Sequence, residues 1–135
     1  MKPIIALICD CDDTVAPDTT TKFLASRGID TAKFWGTEVK DLLTRGWDPS
    51  LAYLDRIVAN VGKGKPLGEV SNEVLRQFGA TLDDSLYPGV ATIRADLQAV
   101  ASAIYADITV EWYIISGGMK VLVEACPVIK ANCNG

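Results

Sequence analysis

Apolar positions along the chain fall into two kinds of run, and their alternation sets the predicted layout. "PIIALIC", residues 3–9, is an unbroken aliphatic and β-branched stretch, the pattern of a parallel strand covered on both faces. "ITVEWYIIS", residues 108–116, is the second clear strand and ends in Ser-Gly-Gly. Between them the apolar residues switch to helical spacing. "DTTTKFLASRG" predicts a short helix capped by Asp18 and stopped at Gly28. The segment from Asp30 to Gly46 places Phe34, Trp35, Val39, Leu42 and Leu43 on one helical face. A third helix is capped by Asp48, with Pro49 at its first position and a stripe of Leu51, Leu54, Ile57, Val58 and Val61. "KGKP" reads as a linker, "PLGEVSNEVLRQFG" as a weaker helix, and the segment from Pro88 to about Asp107 as a long one. After the second strand, Met119–Ala125 predicts a helix, and "VIKANC" the start of a third strand.

This is an α/β chain: strand, a mostly helical insertion of residues 18–107, strand, helix, strand start. Residues 1–17 and 86–135 form the expected sheet-bearing core, and residues 18–85 an inserted helical cap. The 135 residues suit one domain of ordinary size. Composition narrows the function classes. With 17 acidic against 13 basic residues and no basic stripe, neither nucleic acid nor an anionic membrane surface is expected as a partner. No apolar run approaches the roughly 18 residues of a spanning helix. The apolar N-terminus passes into acidic residues without a small-residue cleavage site, so it reads as a strand and the cytoplasm as the expected location. Cys9, Cys11, Cys126 and Cys133 lack the usual zinc spacing and are expected to be reduced thiols. There is no histidine, which removes Ser-His and Cys-His nucleophile pairs and leaves carboxylates, hydroxyls, lysines or a metal to do chemistry.

Those groups gather after the two strands. Asp10, Asp12 and Asp13 follow the first within four positions, although crowded carboxylates raise one another's pKa. A solvated turn and a cation site with an acidic nucleophile both account for them. Ser116-Gly117-Gly118 follows the second strand at a helix start, a composition suited to holding an oxyanion or phosphate with free backbone N–H groups. In open α/β sheets, sites lie beyond the carboxyl ends of the strands. Two carboxylates two residues apart can divide labour, one staying ionised while the other carries a proton.

Asp10-x-Asp12-x-Thr14 after a hydrophobic strand resembles the first motif of the haloacid dehalogenase (HAD) superfamily, and "YIIS" ending at Ser116 resembles its second. "YPGV", residues 87–90, is similar to the segment by which many members return from cap to core. The insertion between the motifs is similar to that of phosphoserine phosphatase-like members. The resemblance implies a Rossmann-like core and a Mg²⁺-dependent phosphomonoester hydrolase acting on a small phosphorylated metabolite. Asp10 would be the nucleophile that forms an aspartyl-phosphate, and Asp12 the proton carrier. Thr14 would steady the loop. Ser116 and the Gly117 amide would hold phosphoryl oxygens, with Lys120 as a further substrate contact. Asp10 and the backbone carbonyl of Asp12 would take the Mg²⁺, and Asp13 reads as solvated.

The chain departs from the family pattern at its end. No acidic residue follows Glu124, so a fourth motif is missing, and the only later lysines, Lys120 and Lys130, do not match the third. The core is therefore expected to be incomplete, as in a fragment of a longer phosphatase; a non-catalytic phosphate-binding module is the other reading. A first strand that is apolar on both faces with one neighbour missing predicts self-association through its open edge.

Overall fold

β1 (Ile4–Cys9) and β2 (Thr109–Ile114) lie side by side in parallel, with Ile4 opposite Thr109 and Cys9 opposite Ile114. They are the only strands among the residues described by the computed structural model, 2–135. The fold is mixed α/β with helices predominating. Parallel neighbours need a long crossover, and here it carries α1 (Thr19–Ser26), α2 (Thr31–Lys33), α3 (Lys40–Thr44), α4 (Pro49–Asn60), α5 (Asn72–Gly79) and α6 (Ile93–Ile104). α7 (Lys120–Ala125) and α8 (Pro127–Asn132) follow β2.

The helix starts carry the caps that their sequences announce. Asp18, Asp30, Asp48 and Ser71 each accept a backbone N–H of the first turn through the side chain, and Pro49 opens α4 where its missing N–H costs nothing. α2 and α3 are joined by a π-helical segment, Phe34–Val39, so the expected single helix over 30–46 is present but underwound in its middle. The weaker helix begins later than expected, at Asn72, because Gly62, Gly64 and Gly68 take positive φ and fold residues 62–70 into turns. Likewise the segment after Pro88 stays in turns until Ile93.

The expected third strand is corrected. Residues 127–132 are helix α8: Pro127 occupies a first-turn position and Val128 N–H donates to the Asp83 carboxylate (3.0 Å), which anchors the helix start. Only Asn134 and Gly135 run along β2, where Asn134 N–H donates to Trp112 C=O (2.6 Å) and Ile114 N–H to Gly135 C=O (2.8 Å). The rest of that edge is covered by side chains. Gln98 bonds Ile108 C=O and Val110 N–H, Arg94 bonds Val110 C=O, and Asn134 Oδ1 accepts from Trp112 N–H.

β1 is not covered on both faces. Leu7 and Cys9 pack into a cluster with Cys11, Val15, Leu82, Trp112, Val123, Cys126 and Ile129, but Ile4 and Ile8 are 56% and 59% exposed. A second cluster joins the crossover helices (Phe23, Leu24, Phe34, Leu42, Ile57 among them) to Leu122 of α7, and Phe78 packs against both clusters. α5 lies so close to α7 that a Cβ on Gly79 would stand 2.4 Å from the Leu122 carbonyl oxygen. The chain leaves and re-enters the sheet region at one place, where Tyr87 N–H donates to Val15 C=O (3.0 Å).

Candidate functional site

Because β1 and β2 are parallel and in register, their carboxyl ends are adjacent and the two polar loops emerge side by side. The first folds back tightly: the Cys11 carbonyl accepts from the N–H groups of Thr14, Val15 and Ala16 (3.2, 2.8 and 3.2 Å). Asp13 sits at φ 60°, a left-handed conformation that an aspartate tolerates better than most residues. Its exposed side chain makes it the turn residue, in line with the solvated role expected of it.

Asp12 is half-buried and held. Its Oδ1 accepts from both the N–H and the hydroxyl of buried Thr19 at the start of α1 (2.8 and 2.9 Å). Its Oδ2 lies toward the second loop, 3.0 Å from where a Cβ on Gly118 would be. A side chain at 118 would press on that carboxylate and on Ser116 Oγ (3.2 Å), so a glycine lets the two loops approach without displacing either group. Asp10 is more exposed; its Oδ1 accepts from Cys11 N–H (2.8 Å). None of Asp10, Asp12 and Asp13 forms an ion pair among the described residues.

In the second loop, Ser116 Oγ accepts from Gly118 N–H (3.0 Å), and the Gly117 carbonyl accepts from the Tyr53 hydroxyl (2.7 Å). Burial, then the charges of Asp12 and Asp18, hold the Tyr53 phenol above its usual pKa, so it stays a donor. Ser50 Oγ is 3.4 Å from a Cβ position on Gly117. α4 therefore roofs this loop. Its position is braced by Trp35, whose ring packs on Tyr53 (centroids 5.8 Å apart) and whose Nε1 donates to Thr21 Oγ1 (2.7 Å).

The expected site residues divide into groups. Asp12, Ser116 and Gly117 converge, with Asp10 on the adjoining strand end. Thr14 is exposed and faces a shallow groove with Tyr87, Val90 and Leu97 instead. Lys120 is largely exposed and pairs with Glu124 (3.3 Å). It lines a cleft of about 860 Å³ together with Ser116, Gly118, Arg76 and Lys130, on the α7 side of the loop. Sequence reasoning did not single out Thr19, Ser50 or Tyr53. Thr19 stands beside a recognised cap, but nothing in local spacing marks the two α4 residues, which reach the loop only through packing.

Cys9, Cys11, Cys126 and Cys133 are unpaired thiols. Burial, then the charges of Asp12 and Asp10, pushes the Cys11 thiol up to about 12, so it is a packed neutral group under the loop and not a nucleophile. Among the described residues no three acidic, thiol or imidazole groups gather as a metal cluster, and no helix is long and apolar enough to cross a membrane.

No family model, no curated protein and no solved structure matches the chain.

Proposed function

We propose that the chain is a HAD-type phosphatase scaffold that hydrolyses a small phosphomonoester, with residues 18–85 as its cap. One observation carries the reading: the Asp12 carboxylate and the Ser116-Gly117-Gly118 loop, a hundred residues apart in sequence, meet at the carboxyl ends of paired parallel strands. Asp10 attacks phosphorus, forming an Oδ–P bond as the bond to the leaving oxygen breaks, and Asp12 supplies the proton to that oxygen. Water then attacks the aspartyl-phosphate, Asp12 accepts its proton, and inorganic phosphate leaves Asp10 free. Thr19 keeps Asp12 oriented, with Oδ2 directed toward the second loop. Ser116 and the Gly117 N–H hold phosphoryl oxygens, and Tyr53 and Ser50 limit what fits above them.

For Mg²⁺ the chain offers the Asp10 and Asp12 carboxylates, two residues apart after β1, and this ion keeps several waters and leans on substrate phosphate. Asp10 and Asp12 would hold it, and when bound it would neutralise phosphoryl charge. The unpaired thiols suit a cytoplasmic setting.

A second reading, a phosphate-binding module without turnover, is favoured by Lys120, which pairs with Glu124 and leaves the aspartates without a cationic partner. Mg²⁺-dependent phosphate release from an aryl phosphate separates the two, measured beside capture of beryllium trifluoride. Release by the chain and its loss in Asp10→Asn support the enzyme. Capture without release supports the module, and neither activity refutes both.

A further inference from the structure

The two edges of the sheet are treated differently. Along the outer edge of β2, the backbone groups of Ile108, Val110, Trp112 and Ile114 meet Gln98, Arg94, Asn134 or Gly135. On β1 the parity is set by two bonds, Thr109 N–H to Pro3 C=O (3.0 Å) and Ile115 N–H to Cys9 C=O (2.9 Å). Residues 3, 5, 7 and 9 therefore face β2, and the N–H and C=O groups of Ile4, Ala6 and Ile8 point outward. None of those six groups has a hydrogen-bond partner among the described residues. Natural sheets blunt such an edge with charges, proline or a bulge. Here the edge runs Ile-Ile-Ala-Leu-Ile-Cys with neither charge nor proline inside it, and Ile4, Ile5 and Ile8 are all exposed.

We propose that this edge pairs with the same edge of a second copy, antiparallel about a two-fold axis at Ala6. The sequence of the strand favours that register. With Ala6 opposite Ala6 of the second copy, Ile4 stands opposite Ile8, so every outward N–H and C=O finds a partner and the two smallest side chains meet at the axis. The same register sets Lys2 opposite Asp10 of the second copy, on both sides of the axis, so the only charges flanking the strand become two complementary cross-strand pairs. A parallel in-register pairing would put like charges together, and a shift of two residues would leave an isoleucine and both charges unmatched. The product is one four-stranded sheet with a self-complementary interface, the commonest symmetry of homo-oligomers. It brings Lys2 of the second copy beside Asp10, a cation that the chain does not place there itself. The pairing stands on the edge alone and does not depend on the catalytic reading.

Sedimentation equilibrium over a concentration series tests it, with circular dichroism confirming that each variant keeps its helical signal. Wild type is expected to move from one to two chain masses and no further. Ile4→Lys/Ile8→Lys and Ile4→Glu/Ile8→Glu, both changed at exposed positions, are each expected to stay monomeric, and their mixture to recover the dimer. Under mild oxidation Ala6→Cys is expected to give a reducible dimer linked at position 6, whereas Ile8→Cys alone is not, because it faces position 4. A wild-type monomer at every concentration, open-ended assembly, or linkage through Ile8→Cys but not Ala6→Cys would each overturn the proposal.

Discussion

Replacing Gly79 by alanine tests whether the crossover helices and α7 are one packed unit. Gly79 is the last residue of α5, so on helix propensity alone alanine would add up to about 1 kcal/mol of stability, less at a helix end. Packing opposes this. The new methyl would lie 2.4 Å from the Leu122 carbonyl oxygen and 2.7 Å from Ala125 Cβ. The first of these is backbone and cannot rotate away, so α5 must move off α7. Overpacking of this kind costs about 1–3 kcal/mol, and two overlaps on one side place the expected net loss at roughly 1–2 kcal/mol after the propensity gain. Urea unfolding reads this directly: at a slope of about 1–3 kcal/mol/M the midpoint should fall by roughly 0.3–2 M, with the slope unchanged. Gly36→Ala is the control, since a Cβ there meets nothing within 4 Å and φ is not positive, and its midpoint should hold or rise. A Gly79→Ala midpoint equal to or above wild type would refute the close approach of α5 to α7, and with it the joining of Phe78 and Leu122 to a common core.

Three further outcomes are expected. Tyr53→Phe leaves the Gly117 carbonyl without its hydroxyl donor and should cost about 1–2 kcal/mol in the same urea assay; no loss would mean that α4 does not brace the loop. Cys11 and Cys126 hold their protons to about 12 and about 11, against an unfolded value of 9.0. Stability from their burial is thus fully present below pH 9 and falls as pH rises through that value toward 11–12, so the urea midpoint should drop over that range and drop less in Cys11→Ala. Asp12→Asn keeps an oxygen for Thr19 but cannot carry a proton; phosphate release should fall by about 10²–10⁴-fold while beryllium trifluoride capture persists, and equal loss of both would assign Asp12 a holding role only.

Short-range chemistry was readable from the residues themselves. Asp18, Asp48 and Pro49 mark helix starts because a cap needs only its own next turn, and the two runs read as strands because one is continuously aliphatic and the other alternates Val110, Trp112 and Ile114 with Thr109, Glu111 and Tyr113. The long crossover permits the parallel pairing, and the placing of Asp10, Asp12, Ser116 and Gly117 at one end follows from that pairing. Local pattern misled at residues 127–132, whose β-branched residues suggested a strand; Pro127 and the Asp83 carboxylate, forty-odd residues upstream, make a helix start there instead. It also could not tell a strand buried on both faces from one with an exposed face, since "PIIALIC" reads the same in either setting and only its neighbours decide. Thr19 on Asp12, Tyr53 on the Gly117 carbonyl and Gly79 against Leu122 were decided by tertiary structure alone. Each depends on where a distant backbone atom comes to rest, and that position is set by packing among the helices, which no local spacing encodes.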